Sequence, residues 1–211
     1  MNASGQVRWI HDHSYPVFDA SGQLERIVGT ARDVTDRKLA ELALSRSNRA
    51  MQLLSRTSVA ISRAEKETGL LAEVCRIAVE VGSYRTAWVG YALNDGPRSI
   101  QPVAQAGHVV GHAAGGLAAL KLSWSDAYPS GQGPAGQTIR SSLPQYIGDI
   151  AQAETPFFRR EEALAQGYRS ALYLPLRDGQ RTFGLLGLYA GHVQDFSAEE
   201  IKPLQELADH L

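Results

Sequence analysis

Hydrophobic and polar positions along residues 7–34 follow a pattern that is typical of β-strands. Val7–Ile10 and Tyr15–Phe18 are short and β-prone, and the turn-forming stretch Asp19–Gly22 follows them. Leu24–Ala31 then predicts a returning strand. Two or three antiparallel strands are too few to be stable alone. The pattern therefore predicts the end of a domain whose front half is missing.

A long helix is predicted from Asp36 to Glu67, because this stretch contains neither proline nor glycine and is rich in Ala, Leu, Arg and Glu. Its heptad seam is weak, since two polar residues interrupt the a and d positions. Two interpretations stay open: a solvated connector helix, or a parallel two-stranded coil that joins two domains. The seam consists of Leu39, Ala43, Arg46, Ala50, Leu53, Thr57 and Ala60.

The pattern from residue 68 onward predicts helix, hairpin, a loop with short elements, strand, helix, hairpin and helix. Because most strands meet through hairpins, we expect an α+β fold with helices on an antiparallel sheet. Leu117–Trp124 fits either a short helix or a strand. The first helix is capped by Thr68 and stopped by Gly82. The other predicted elements are strands Arg85–Leu93 and Ser99–Ala106, helix Pro134–Ser142, strand Tyr146–Ile150, helix Phe157–Ala165, strands Arg169–Leu176 and Arg181–Ala190, and a helix from Ala198.

Composition narrows the class of protein. Apolar residues make up 44% of the chain, which is enough for a core, and the net charge of −1 comes with interspersed signs. No basic stripe predicts nucleic-acid binding, and no apolar run is long enough to predict a membrane segment. Because Cys75 is the single cysteine, an internal disulfide and a four-cysteine metal site are excluded. No secretory signal is evident, so we expect a cytoplasmic protein.

The stretch GQGPAG, residues 131–136, has the G-x-G-x-x-G spacing of a dinucleotide-binding turn. No strand runs directly into its first glycine, so we expect no NAD there. Gly133 is instead a candidate N-cap, with Pro134 as the first helical residue. The free amides behind it suit an anion or a carbonyl oxygen, and a plain loop-to-helix entry is the alternative.

Metal and nucleophile chemistry receive little support from the residues. His108 and His112 are four residues apart, but their stretch is too rich in glycine for a helix and no third ligand is adjacent. No G-x-S-x-G elbow is present, and Ser170 is flanked by strand residues. We therefore expect no metal site and no catalytic residue.

Several stretches together resemble a GAF domain, in order and spacing, over about residues 68–211. They are RTAWVGYAL, GQGPAGQTIRSSLPQYIGDI, REEALAQGYRSALYLPLRDGQRTFGLLGLYAG and FSAEEIKPLQELAD. The earlier stretch VRWIHDHSYPVFDASGQLERIVGTARDVTDRKLAE is similar to the C-terminal part of a PAS domain. Within it, Asp33-Val34-Thr35 matches the signature that ends a PAS sheet and opens a signalling helix.

The resemblance implies three segments: a PAS remnant at residues 1–35, a signalling connector helix at 36–67 and a GAF domain at 68–211. It also implies a bacterial multidomain signalling protein, cut at both ends. The output domain would be a diguanylate cyclase, a cyclic-di-GMP phosphodiesterase or a histidine kinase. The chain itself would then not be an enzyme, and it would form a homodimer through its flanking helices.

The GAF resemblance further implies a small-molecule pocket on one side of the sheet. Asp149 can alternatively cap a turn, and Phe157 and Phe158 can alternatively belong to the core. Trp124 can be a lid, and Tyr91 can be core with its hydroxyl at the edge. The implied lining is Tyr91, Trp124, Gly136, Ile139, Asp149, Phe157, Phe158, Tyr168 and Ser170.

Several motifs of characterised GAF subtypes are missing from this sequence, and their absence narrows the classes of ligand that we expect. The loop-helix cysteine that attaches a bilin is missing, and Cys75 is expected to be a buried, inert thiol. The Asn-Lys-x-Phe-Asp-Glu pattern of cyclic-nucleotide binders is missing too, and GAF-fold methionine sulfoxide reductases need several cysteines. Two functions stay open: a sensor for an unknown small molecule, and a ligand-free dimerisation and relay module.

Overall fold

The computed structural model describes residues 7–107, 121–179, 181–194 and 196–211. The chain forms two compact units, Met1–Arg46 and Ser47–Leu211. Helix α1 (Thr35–Arg63) begins in the first unit and ends in the second.

The first unit contains an antiparallel hairpin of β1 (Ile10–Phe18) and β2 (Leu24–Asp33). The Asp19 carboxylate accepts the amides of Ser21 and Gln23 at 2.8 and 2.9 Å and so builds the turn. The prediction of separate strands at Val7–Ile10 and Tyr15–Phe18 is wrong, because β1 is one continuous strand. Its polar middle is tolerated because nearly every side chain of this hairpin is exposed.

The stretch Asp33-Val34-Thr35 joins the hairpin to α1 through local hydrogen bonds. The Thr35 amide donates to Asp33 Oδ1 at 2.9 Å, and the Thr35 hydroxyl accepts the Trp9 amide at 2.9 Å. Arg8 pairs with the same Asp33 carboxylate at 2.6 Å. These bonds, with those from Thr35 first, lower the pKa of Asp33 to about 2. Asp33 therefore stays charged and holds the start of the helix.

The second unit is built on a five-stranded antiparallel sheet of order β4-β3-β7-β6-β5. This architecture confirms the predicted α+β fold with its central antiparallel sheet and flanking helices. The strands are β3 (Thr86–Ala92), β4 (Ile100–Gly107), β5 (Gln145–Ile147), β6 (Ser170–Asp178) and β7 (Arg181–Ala190).

Among the described residues, four further α-helices and a 3₁₀ helix at Pro129–Gly131 accompany the sheet. The prediction that Thr68 caps α2 is wrong: the helix starts at Glu67, and Lys66 precedes it without a side-chain cap. Ser197 caps α5, which begins at Ala198 as predicted, since the Ser197 hydroxyl accepts the Glu200 amide at 3.3 Å. The ambiguous Leu117–Trp124 is described only from residue 121, where Ser123 forms one isolated bridge to Ser99. The helices are α2 (Glu67–Glu80), α3 (Pro134–Ser141), α4 (Arg160–Ala165) and α5 (Ala198–Asp209).

Helices cover the sheet on both sides. α2 contacts β3 and β4 and α5 contacts β6, whereas α3 contacts β5, β6 and β7. The second half of α1 also joins the core, because Ala50, Leu53 and Thr57 are buried. These three residues belong to the heptad seam, for which the sequence pattern leaves a solvated connector helix and a parallel two-stranded coil open. In the second half of α1, these seam residues therefore pack within the core of the same chain and are not exposed to solvent.

Candidate functional site

The two faces of the five-stranded sheet differ in chemistry. One face, here called the leucine face, packs against α2 and α5 and shares its apolar cluster with buried residues of α1. It carries Leu172, Leu174, Leu176, Leu186 and Leu188. The opposite face, here called the tyrosine face, packs against α3 and carries Trp88, Tyr173, Leu185 and Tyr189. Because neighbouring residues of a strand point to opposite faces, each strand supplies both.

Three tyrosines form a cluster on the tyrosine face. The ring of Tyr168 stacks on that of Tyr189 with centroids 4.6 Å apart, and Tyr173 meets Tyr189 edge-on at 5.9 Å. The Tyr173 hydroxyl donates to the Tyr189 hydroxyl at 3.1 Å, and the Tyr168 hydroxyl lies 2.9 Å from the Thr86 hydroxyl. The cluster thus places hydroxyl groups inside an otherwise apolar layer.

Burial controls the ionisation of this cluster. It raises the pKa of Tyr189 to about 12 and raises that of Tyr173 well above its ordinary value. The pKa of Tyr168 is also raised, chiefly by burial. All three hydroxyls therefore stay neutral at physiological pH, and they act as hydrogen-bonding groups rather than as charges. Trp88 lies beside them with its indole nitrogen buried, and its side chain acts on the Tyr189 hydroxyl as a hydrogen-bond donor, which lowers the pKa of Tyr189 against the larger effect of burial.

A cavity of about 320 Å³ opens at one end of the tyrosine face. This volume lies at the lower end of the range that small-molecule pockets occupy, about 300–1,000 Å³. We call it the Trp124 cavity. Its lining consists of Ala92, Asn94, Trp124, Ile139, Arg140, Arg181 and Thr182.

Hydrogen bonds hold the cavity wall in place. The Trp124 indole N–H donates to the Leu93 carbonyl oxygen at 2.8 Å, and the guanidinium of Arg98 lies 4.7 Å above the indole ring. Arg140 Nη1 donates to the carbonyl oxygens of Trp124 and Gly131 at 2.6 and 2.8 Å. The indole and one guanidinium are therefore held in fixed positions.

The glycines of GQGPAG serve packing at the start of α3. Gly133 is the N-cap and Pro134 the first helical residue, as the sequence predicts. A Cβ at Gly136 would meet the Gly131 carbonyl oxygen at 2.1 Å, so only glycine permits this approach of the two backbones. Behind Gly133, Ala135 and Gly136 are buried, and the Gln137 amide donates to the Gly133 carbonyl oxygen at 3.1 Å.

Four of the side chains predicted to line the pocket belong to one apolar cluster. Trp124, Ile139, Phe157 and Tyr168 all pack on the tyrosine face, and Gly136 lies buried in α3 beside Arg140. Of this set, the Trp124 cavity brings together Trp124 and Ile139.

Two predicted residues lie on the leucine face. Tyr91 contacts Phe183 with ring centroids 5.9 Å apart and donates its hydroxyl to Glu67. Ser170 pairs across the strands with Ala190, a residue of the leucine face, and its hydroxyl donates to the His192 carbonyl oxygen at 2.9 Å. The sheet therefore separates both residues from the Trp124 cavity.

The last two predicted residues have local roles. Asp149 accepts the Ala151 amide at 2.9 Å, which is the turn-capping alternative. Phe158 is half-buried, with the Arg159 guanidinium 5.6 Å from its ring centroid. Neither lines the Trp124 cavity.

Sequence reasoning missed the polar lining of the cavity and most of the tyrosine cluster. The β-hairpin turn at Asp178-Gly179 and the alternation along its strands place Tyr173 and Tyr189 on one face, so this pair could have been found. No sequence signal marks the others, because tertiary contacts place them. The missed residues are Thr86, Trp88, Asn94, Arg140, Tyr173, Arg181, Thr182 and Tyr189.

The described residues give little support to metal or thiol chemistry. In the described ranges, no three His, Cys, Asp or Glu side chains are grouped to hold a metal ion. His108 and His112 lie outside the described residues. Cys75 is buried in the core, and burial raises the pKa of its thiol to about 12. None of the described helices is long and apolar enough to cross a membrane.

Comparison with solved structures identifies relatives of this fold. The chain is similar to a GAF domain from a Coxiella burnetii phosphoenolpyruvate-protein phosphotransferase, with 17% identity, a TM-score of 0.63, and coverage of 78% of this chain and 90% of that one. It is also similar to a free methionine-R-sulfoxide reductase from Neisseria meningitidis, with 16% identity, a TM-score of 0.60, and coverage of 76% and 84%. A search of curated proteins found no match.

The expectation that this chain is not an enzyme is wrong. The matched structures include the Neisseria meningitidis reductase and a second one from Staphylococcus aureus, with 12% identity, a TM-score of 0.58, and coverage of 76% of this chain and 91% of that one. The same fold therefore supports catalysis without a separate output domain. The GAF fold alone therefore gives no reason to place a catalytic activity in a separate output domain rather than in this chain.

A sequence-family comparison decides the family. The model of the GAF domain matches residues 64–211, which is more than half of the chain. The solved neighbours match the same α+β fold over most of their own length. The chain belongs to the GAF family, whose domains are generally sensory or regulatory modules.

Proposed function

We propose that this chain is a sensory module that binds a small molecule on the tyrosine face and passes its state to an output domain. The Trp124 cavity carries the proposal, because it combines a fixed indole, two arginines and an adequate volume. By resemblance, the output would be a diguanylate cyclase, a cyclic-di-GMP phosphodiesterase or a histidine kinase of a bacterial protein.

The sheet offers a physical route for the signal. Trp88 and Val89 are neighbours on β3, and the first belongs to the tyrosine face and the second to the leucine face. The leucine face packs against α5, and its apolar cluster also includes buried residues of α1, so that Leu53 and Leu204 belong to one core. A ligand that prefers one arrangement of the sheet would thus shift the population of helix positions.

A ligand search on purified protein tests this proposal. The protein is denatured, released small molecules are identified by mass spectrometry, and the identified compound is added back to ligand-free protein. Hydrogen exchange of α1 and α5 is then measured with and without it. We expect a stoichiometric compound that slows exchange in both helices. A compound that binds without changing their exchange contradicts the relay, and the absence of any binding compound contradicts the sensor.

A ligand-free dimerisation and relay module is the second candidate. Met51 and Val59 are 57% and 47% exposed, and helical spacing places them away from the face of α1 that buries Ala50 and Leu53. They would form the contact between two copies. Replacing both with lysine should then give monomers with an unchanged circular dichroism spectrum. Light scattering that shows an unchanged oligomeric state contradicts this candidate.

We further propose that β1, β2 and the start of α1 are the C-terminal part of a PAS domain. The exposed side chains of the hairpin and the bonds around Asp33 and Thr35 support this assignment. Hydrogen exchange in the full-length protein provides the test. Additional strands of a PAS sheet would slow the exchange of those β1 and β2 amides that form no hydrogen bond within the hairpin. Unchanged exchange of these amides contradicts the assignment.

A further inference from the structure

The charged groups of the Trp124 cavity all have the same sign. Arg140 and Arg181 line it together with the neutral side chains of Asn94 and Thr182, and the lining contains no carboxylate. Within the described part of the chain, the structure records no ion pair for either arginine. Asp178 is the cross-strand neighbour of Arg181 at the hairpin turn. A ligand with negative charge would therefore meet two guanidinium groups that form no ion pair with a described carboxylate.

Arg140 is held ready for such a ligand. Its Nη1 is occupied by the carbonyl oxygens of Trp124 and Gly131, which fix the plane of the guanidinium. A guanidinium has five N–H donors, so others remain for a ligand. Because the orientation is already fixed, little side-chain entropy is lost when an oxyanion binds.

The apolar part of the cavity lining consists of Ala92, Trp124 and Ile139, beside the polar Asn94 and Thr182. The indole of Trp124 is fixed by its bond to Leu93, and Ile139 and Ala92 belong to the apolar cluster of the tyrosine face. An indole face suits a planar or compact apolar group. A ligand thus needs one anionic head and one small apolar body.

We infer that the Trp124 cavity binds a small organic anion, with a carboxylate or phosphate head on Arg140 and Arg181 and an aromatic or similarly compact body on Trp124. This inference rests on the proposed sensory function and names the ligand class of that same site. Both heads match the fork geometry of a guanidinium, and hydrogen bonds to charged heads are about twice as strong as neutral ones.

Titration with defined probes tests the inference. Phenylacetate and phenyl phosphate provide the two heads, and phenylacetamide is the neutral counterpart of the first. Binding is followed through the indole N–H signals of ¹⁵N-labelled protein, in which Trp9, Trp88 and Trp124 are assigned from single tryptophan-to-phenylalanine variants. We expect at least one anion to shift the Trp124 signal saturably, with a Kd at least about tenfold below that of phenylacetamide. The stronger of the two anions identifies the head group.

Arg181→Gln is the decisive variant, because Arg140 also supports the loop. We expect the Kd of the binding anion to rise at least about tenfold in Arg181→Gln. Arg56→Gln, an exposed arginine of α1 away from the cavity, is the matched control and should bind as the unaltered protein does.

The outcomes separate this inference from the proposed function. Equal binding of phenylacetate and phenylacetamide, no saturable shift of Trp124 with either anion, or unchanged binding in Arg181→Gln overturns the inference. If the ligand search then yields a neutral compound, the sensory function survives with another ligand class. If that search also finds no binding compound, both proposals fail.

Discussion

The two faces of the five-stranded sheet are buried to a similar degree, yet they are built from different residues. The leucine face is aliphatic and shares one apolar cluster with residues of α1, α2 and α5, whereas the tyrosine face contains hydroxyl groups, an indole and a cavity. An aliphatic layer stabilises the fold through burial and close packing. A layer that keeps polar groups and open volume inside is suited to recognition.

This difference suggests a division of labour between the faces. Substitutions on the leucine face should act on stability, and substitutions around the Trp124 cavity should act on binding. Substitutions within the tyrosine cluster should lower stability, because they remove hydrogen bonds or disturb the close packing of the rings.

The largest effect is expected on the leucine face. Leu186 is fully buried in β7, so Leu186→Ala should lower the free energy of unfolding by about 2–5 kcal/mol through lost burial and a cavity. Urea denaturation measures this change. Leu143→Ala, at a leucine that is 59% exposed, is the control and should change stability by less than about 0.5 kcal/mol. Equal effects at the two positions would contradict the assigned packing.

A smaller effect is expected from overpacking the tyrosine face. A Cβ at Gly187 would lie 2.2 Å from the Trp88 indole nitrogen, so Gly187→Ala should displace the indole and cost about 1–3 kcal/mol. The chemical shift of the Trp88 indole N–H and urea denaturation report the two changes. Gly69→Ala, at a helical glycine with open space around it, should instead stabilise α2.

The hydrogen bond inside the tyrosine cluster should contribute less. Tyr189→Phe removes the acceptor of the Tyr173 hydroxyl and should cost about 1–2 kcal/mol. A double-mutant cycle with Tyr173→Phe measures the coupling, and we expect the double variant to lose less than the sum of the single losses. Strict additivity would indicate that the hydroxyls act independently.

Ionisation of the buried tyrosines should have the smallest effect on the free energy of unfolding at neutral pH. Burial raises the pKa of Tyr189 to about 12, above the ordinary value of 10.0. The neutral phenol is therefore the form that the folded state favours. Its contribution is fully present below pH 10 and is lost as the pH rises towards 12.

Urea denaturation between pH 8 and pH 12 tests this effect by comparing the unaltered protein with Tyr189→Phe. Part of the alkaline loss of stability should disappear in the variant. Identical pH profiles would show that Tyr189 is not protected from ionisation.

Much of the fold could be predicted from the sequence, because the strand and helix patterns from Arg85 to Ala190 are strong. The assignment of faces was harder. Thr86–Ala92 is buried on both sides of the sheet over most of its length, so periodicity could not show that Tyr91 points to the leucine face. The polar lining of the Trp124 cavity could not be predicted, since Arg140 is placed by bonds to the backbone carbonyl oxygens of Trp124 and Gly131, which depend on the folded loop.

The division of labour is tested most directly by urea unfolding of three proteins, each with and without the binding anion of the titration. The proteins are the unaltered chain, Leu186→Ala and Arg181→Gln. A ligand that binds only the folded state raises the free energy of unfolding. We predict that Leu186→Ala is less stable than the unaltered chain but gains the same free energy of unfolding when the anion is added. Arg181→Gln should be as stable as the unaltered chain but should lose most of the gain that the anion gives. Loss of this gain in Leu186→Ala, or its retention in Arg181→Gln, would contradict the account.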